Sequence, residues 1–119
     1  MPYLKIYEWE NGAYPEFLPI KVKREDAPKY FKKFARHFRV IRPTLDFWRV
    51  KRHVGTYYHY TKSIALPKIA SLGLIVHEFA HHLADEQNGK RNMHNKVFKR
   101  ALKRTYTFAK RYLTLTSAS

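Results

Sequence analysis

No cysteine occurs anywhere in the 119 residues, which excludes disulfide staples and thiolate metal sites of the zinc-finger type. Any metal must therefore sit on histidine or carboxylate. Acids are also scarce: nine Asp and Glu stand against 24 Lys and Arg, a formal net charge of +15, and none follows Glu86. A site that needs a carboxylate from beyond that point is excluded. Long apolar runs are missing too. No stretch approaches the roughly 18 residues of a membrane span, and the opening MPYLKIYEWENG sets two glutamates among its aromatics, with no apolar core of signal-peptide length. The expectation is a soluble, cytoplasmic protein with no membrane partner. Neither repeats nor low-complexity linkers break up the chain, and its 45% hydrophobic and 16% aromatic content is too apolar for a disordered tail. One domain over residues 1–119 is expected, at a length that leaves room for one core and one site.

Along the chain, apolar and polar residues alternate through Tyr3, Leu4, Ile6, Tyr7 and Trp9 before Asn11-Gly12, which predicts a strand and a tight turn. From Asp26 the spacing changes. Tyr30, Phe31, Phe34, Ala35 and Phe38 fall on one helical face, with Pro28 in the first turn, and predict an N-terminal amphipathic helix over roughly 26–38. Residues 39–66 are rich in β-branched and aromatic types: Val40-Ile41, then Phe47, Trp48 and Val50, then GTYYHY and SIALP. Two or three antiparallel strands are expected there. After Pro67 the run KIASLGLIVHEFAHHLADEQ is apolar on most sides and stops before Asn88-Gly89, as a buried helix with a glycine stop would. A last helix is expected from near Asn92, a candidate N-cap, with Phe98, Ala101, Leu102, Ala109, Tyr112 and Leu113 as its apolar stripe.

The chemistry lies in His77-Glu78-Phe79-Ala80-His81. Residues four apart on a helix share a face about 6 Å apart, so the two imidazoles can grip one Zn²⁺. Glu78, beside the first ligand, can take a proton from a zinc-acidified water and pass it to a leaving amine. With seven His and six Glu in the chain, such a pattern arises by accident somewhere in ~2% of sequences. Accidental histidine pairs in so basic a chain also belong on solvated faces, whereas Leu74, Ile75 and Val76 lead into this one.

A catalytic zinc needs a third protein ligand and an open position. The metzincin pattern would put Gly at position 84 and His at 87, where Ala84 and Gln87 stand. A thermolysin-type Glu well downstream is excluded because Glu86 is the last acid. Asp85 shares the face of His81 a further turn along, too far to close a tetrahedron, with support of a ligand as its lesser alternative. His94, thirteen residues beyond His81 and past the loop around Gly89, is the third-ligand candidate. His82 is rotated about 100° from His81 and is expected to be packed or hydrogen-bonded. His37, His53 and His59 are read as structural or exposed.

HEFAHH, a loop of about a dozen residues, and then His94-Asn95-Lys96-Val97-Phe98 resemble the SprT-like zinc peptidases and related small zincins, whose pattern is HExxH, a downstream His and an aromatic shortly after. GTYYHY and SIALP resemble the strand that lines the cleft in that family, and the likeness covers roughly residues 25–105. It implies zinc on His77, His81 and His94, Glu78 as general base, and a protein or peptide substrate held along residues 56–66 by strand addition. It also implies an α+β, zincin-like fold: a small antiparallel sheet packed on the HExxH helix, with the N-terminal helix and the basic C-terminal helix completing the core. Asn95 stands where that family usually has Gly, and no zinc-ribbon cysteines are present. The oxyanion-stabilising donor is open among Tyr106, Tyr112, His82 and several Arg.

The charge is clustered. Residues 87–119 hold nine Lys and Arg and no acid, and residues 29–62 hold ten with only Asp46 against them. A solvated helix face accounts for such residues, yet acids normally share it; non-specific, salt-sensitive nucleic-acid binding is the partner this charge suggests. The sequence reads as a zinc-dependent metallopeptidase, an endopeptidase rather than an exopeptidase. The alternatives are a basic nucleic-acid-binding or virion-associated module on the same scaffold without peptidase activity, and a zinc hydrolase acting on nucleic acid.

Overall fold

The computed structural model describes residues 2–46 and 55–118. Helix α1 (Pro2–Ala13) opens the chain, followed by strand β1 (Lys21–Lys23), helix α2 (Ala27–Phe38), strands β2 (Thr44–Asp46), β3 (Thr56–Tyr58), β4 (Ser63–Ala65) and β5 (Ile69–Ser71), and helices α3 (Leu72–Asn88) and α4 (Lys96–Ala118). The class is α+β, with four helices and two small sheets. Among the described residues no helix is long and apolar enough to cross a membrane.

The first correction is α1, where a strand and a turn were expected. Short apolar runs fit either period, and tertiary contact decides between them. Here Ile6 and Glu10 are both buried, and the Glu10 carboxylate is bonded by His77 and Tyr106, contacts with distant helices that no local pattern encodes. Asn11-Gly12 therefore lie inside the helix, and Gly89 is the only glycine with positive φ among the described residues.

α2 forms as expected, burying Ala27, Phe31, Phe34 and Ala35 and ending on Arg39 in the left-handed conformation (φ 57°). Val40 and Ile41 do not join a strand, and Phe47, Trp48, Val50 and His53 lie outside the described residues. β4 is the middle of a three-stranded sheet, antiparallel to β3 but parallel to β2, so the expected all-antiparallel sheet is corrected. Ser63, Ile64 and Ala65 are all buried, as a strand flanked on both edges and covered on its faces must be. Residues 69–71, expected to be helical, instead pair with β1 in a second, two-stranded sheet.

α3 begins where Ser71 accepts a hydrogen bond from the Leu74 amide at 3.0 Å and ends on Gly89 (φ 69°). It is buried nearly all round, the central rod on which α2, β3 and α4 pack. α4 starts later than expected, capped by Asn95, whose side-chain oxygen accepts from the Phe98 amide at 2.9 Å. Asn92 is a loop brace instead: its amide donates to Asp85 Oδ1 (2.6 Å), and its side chain donates to the Ala84 and Lys90 carbonyls (3.3 and 2.9 Å).

Candidate metal centre

His77 and His81 project from one face of α3, and the braced loop returns His94 to the same point. The three ring centroids are separated by 5.2, 5.1 and 5.0 Å, close to an equilateral triangle. One ring nitrogen from each lies within 4.8 Å of the others. A tetrahedral ion with Zn–N bonds of about 2.0–2.1 Å needs nitrogens about 3.3 Å apart. The Nε2 atoms of His77 and His94 stand 3.1 Å apart. Phe98, the first buried residue of α4, stacks on His81 at 4.1 Å and 22° and touches the other two rings, an apolar wall that fixes their planes.

Two of the rings are oriented from behind. His77 donates its Nδ1 proton to Glu10 Oε1 at 2.8 Å, and His81 donates from Nδ1 to the Asn92 carbonyl at 3.3 Å. Each bond leaves Nε2 as the lone-pair atom, and that of His77 is turned toward His94. Glu10 is itself held by the Tyr106 hydroxyl, which donates to Oε2 and also lies 3.2 Å from the Gly73 carbonyl. Tyr14 stacks on Tyr106 at 4.0 Å and Phe17 meets it edge-on, so α1 is clamped to α4 directly behind His77.

Electrostatics sort the three imidazoles. Burial, then the charges of His77 and His94, push His81 down to about 3; burial and His77 push His94 down to about 4. Both are neutral near pH 7, the form a metal requires. Burial works against the charged form of His77 as well, but the Glu10 hydrogen bond and the charges of Glu78 and Glu10 outweigh it and raise its pKa.

Glu78 is buried beside them, and its carboxyl is pushed up to about 7, chiefly by burial, with His77 lowering and Glu10 raising it and the Tyr57 backbone amide donating to it. That amide belongs to β3, which among the described residues pairs on one side only. The approach depends on Gly55: a Cβ there would stand 2.9 Å from Glu78 Cγ and 3.0 Å from Leu74 Cδ1.

All four predicted residues, His77, Glu78, His81 and His94, thus meet at one place. His82 is hydrogen-bonded as expected, donating from Nε2 to the Ile41 carbonyl (2.7 Å) and accepting at Nδ1 from the Tyr57 hydroxyl (2.9 Å). It and Tyr106 are therefore engaged elsewhere and leave the set of oxyanion donors. Tyr112 leaves it too, packed against Tyr30 and Phe108. Asp85 acts as a partner to the site, through Asn92 to His81, and also bonds His59 at 2.8 Å. Within residues 56–66, strand addition is open to β3 and not to β4, which is enclosed by its two neighbours. Glu10 and Tyr57 are functional residues that the sequence did not single out: Glu10 is one of two glutamates in an aromatic-rich segment, and nothing nearby ties it to His77. No family model, curated protein or solved structure matches the chain.

Proposed function

We propose that the chain is a zincin-like, zinc-dependent peptide hydrolase. What carries this reading is the convergence of His77, His81 and His94 beside a buried Glu78 whose carboxylate touches an edge strand. The three imidazoles, His77 giving up its extra proton on binding, would hold the ion with a fourth position open. A zinc ion there supplies a Lewis acid that polarises a carbonyl and acidifies water. Glu78 removes a proton from the attacking water as its oxygen bonds to the peptide carbon, then delivers that proton to the amine nitrogen as the C–N bond breaks. A carboxyl near pKa 7 suits both halves of that transfer. An extended peptide laid along β3 would present its backbone to this carboxylate.

Glu78→Gln keeps all three imidazoles and removes the base, so hydrolysis of an unstructured protein is expected to fall at least about 100-fold with bound zinc unchanged by elemental analysis. His94→Ala is expected to release the metal at equilibrium. Full activity in Glu78→Gln, or full metal content in His94→Ala, would overturn the assignments, and cleavage of single-stranded RNA in place of protein would redirect the substrate.

A further inference from the structure

A second feature lies about 15 Å further along α4 from Phe98, given a rise of 1.5 Å per residue. There the C-terminal end of α2 and the middle of α4 enclose a groove of about 410 Å³ lined by Arg39, Lys103, Arg104 and Arg111 with His37 and Phe108. No acidic side chain lines it among the described residues. The cations are exposed, and no described carboxylate pairs with Arg39, Arg104 or Arg111 in an ion pair.

The groove has shape as well as charge. Arg104 is pinned, donating to Gln87 Oε1 at 2.7 Å with its guanidinium 5.3 Å from the Phe38 ring. Arg39 is set by the left-handed cap that ends α2. His37 stacks on Phe108 at 3.9 Å and 14°, which lays a flat aromatic surface between the arginines. His37 is also kept below the ordinary imidazole pKa by burial and then by Arg111 and Arg104, so these charges converge on the groove. Like charges gathered without acids repel one another, and a polyanion relieves that repulsion while releasing its counterions.

We propose that this groove is a single-stranded nucleic-acid site, in which Arg39, Arg104 and Arg111 take successive phosphates and the His37–Phe108 stack offers a face to a base. Guanidinium forks suit phosphate oxygens, and alternating cations and aromatic faces are what a flexible strand needs, whereas a duplex would hide its bases from the stack. The site is independent of the metal centre: Phe38 packs on Phe79, two residues past His77 and thus on the opposite side of α3.

The test is fluorescence anisotropy with a labelled oligothymidylate of about 20 nucleotides, titrated at several salt concentrations. The triple variant Arg39→Glu, Arg104→Glu, Arg111→Glu is expected to bind at least about tenfold more weakly and to flatten the log K against log salt slope by about 2, at roughly 0.7 per lost phosphate contact. A control with the same charge change, Lys21→Glu and Lys23→Glu on the two-stranded sheet with Lys68→Glu beside it, is expected to keep that slope. Unchanged helical circular dichroism and zinc content would show that the fold survives, and the single variant Arg111→Glu, expected to lose about one third of the slope change, serves if the triple does not fold. Equal losses in groove and control variants would overturn the proposal. So would absence of oligonucleotide binding, or binding only to vesicles containing phosphatidylserine.

Discussion

When Glu10 accepts the Nδ1 proton of His77, the imidazole is held in one tautomer, its Nε2 lone pair faces the centre, and its basicity rises. A glutamine at position 10 keeps the shape and weakens the acceptor. Glu10→Gln is therefore expected to lower zinc affinity about 10–100-fold, measured by competition with a chromophoric chelator; unchanged affinity would show that the carboxylate only fills space. The sequence displayed the candidate ligands but not this support. His77, Glu78 and His81 are legible because their spacing is local, and His94 because few other residues could close the site. Glu10 is 67 residues from its partner and sits in a segment whose alternation imitates a strand, so nothing local marks it.

Helices α2 and α3 were legible because their signals are local too: α2 carries an apolar stripe at helical spacing, and α3 a long apolar run closed by Gly89. The strands have three residues apiece, too few to establish a period, and the parallel pairing of β2 with β4 depends on a passage between distant segments that no local signal encodes. Where strand and helix meet, the margin is one hydrogen atom. Gly55→Ala forces β3 and Glu78 apart, and a displacement of that kind is expected to slow hydrolysis about 10- to 100-fold while zinc remains bound, as activity and metal content measured on the same preparation would show. Wild-type activity in Gly55→Ala would mean that β3 need not touch the carboxylate.

Across the whole molecule, the buried titratable groups set how stability follows pH. In protein stripped of metal, His81 at about 3 and His94 at about 4 bind protons far less readily than an unfolded histidine at 6.5, and His82 is lowered too, first by burial. Their contribution is complete above pH 6.5 and is lost as pH falls toward 4. Glu78 runs the other way: raised from 4.5 to about 7, it contributes stability below pH 4.5 that is lost as pH rises to 7. His77, raised above 6.5, is protonated in both states below that value and adds no slope there. Between pH 4.5 and 6.5 these three histidines and His37, also lowered, oppose one glutamate, so the urea midpoint of metal-free protein is expected to drop as the solution is acidified; a flat or rising midpoint would contradict the burial of these groups. The clasp behind His77 has a consequence in time as well. It joins Glu10 to Tyr106 across 96 residues, and contacts so remote in sequence are the slow ones to close. A refolding chain would own its helices before it owned a complete centre, so zinc capture is expected to lag the return of helical signal, and the length of that lag would time the meeting of the first helix with the last.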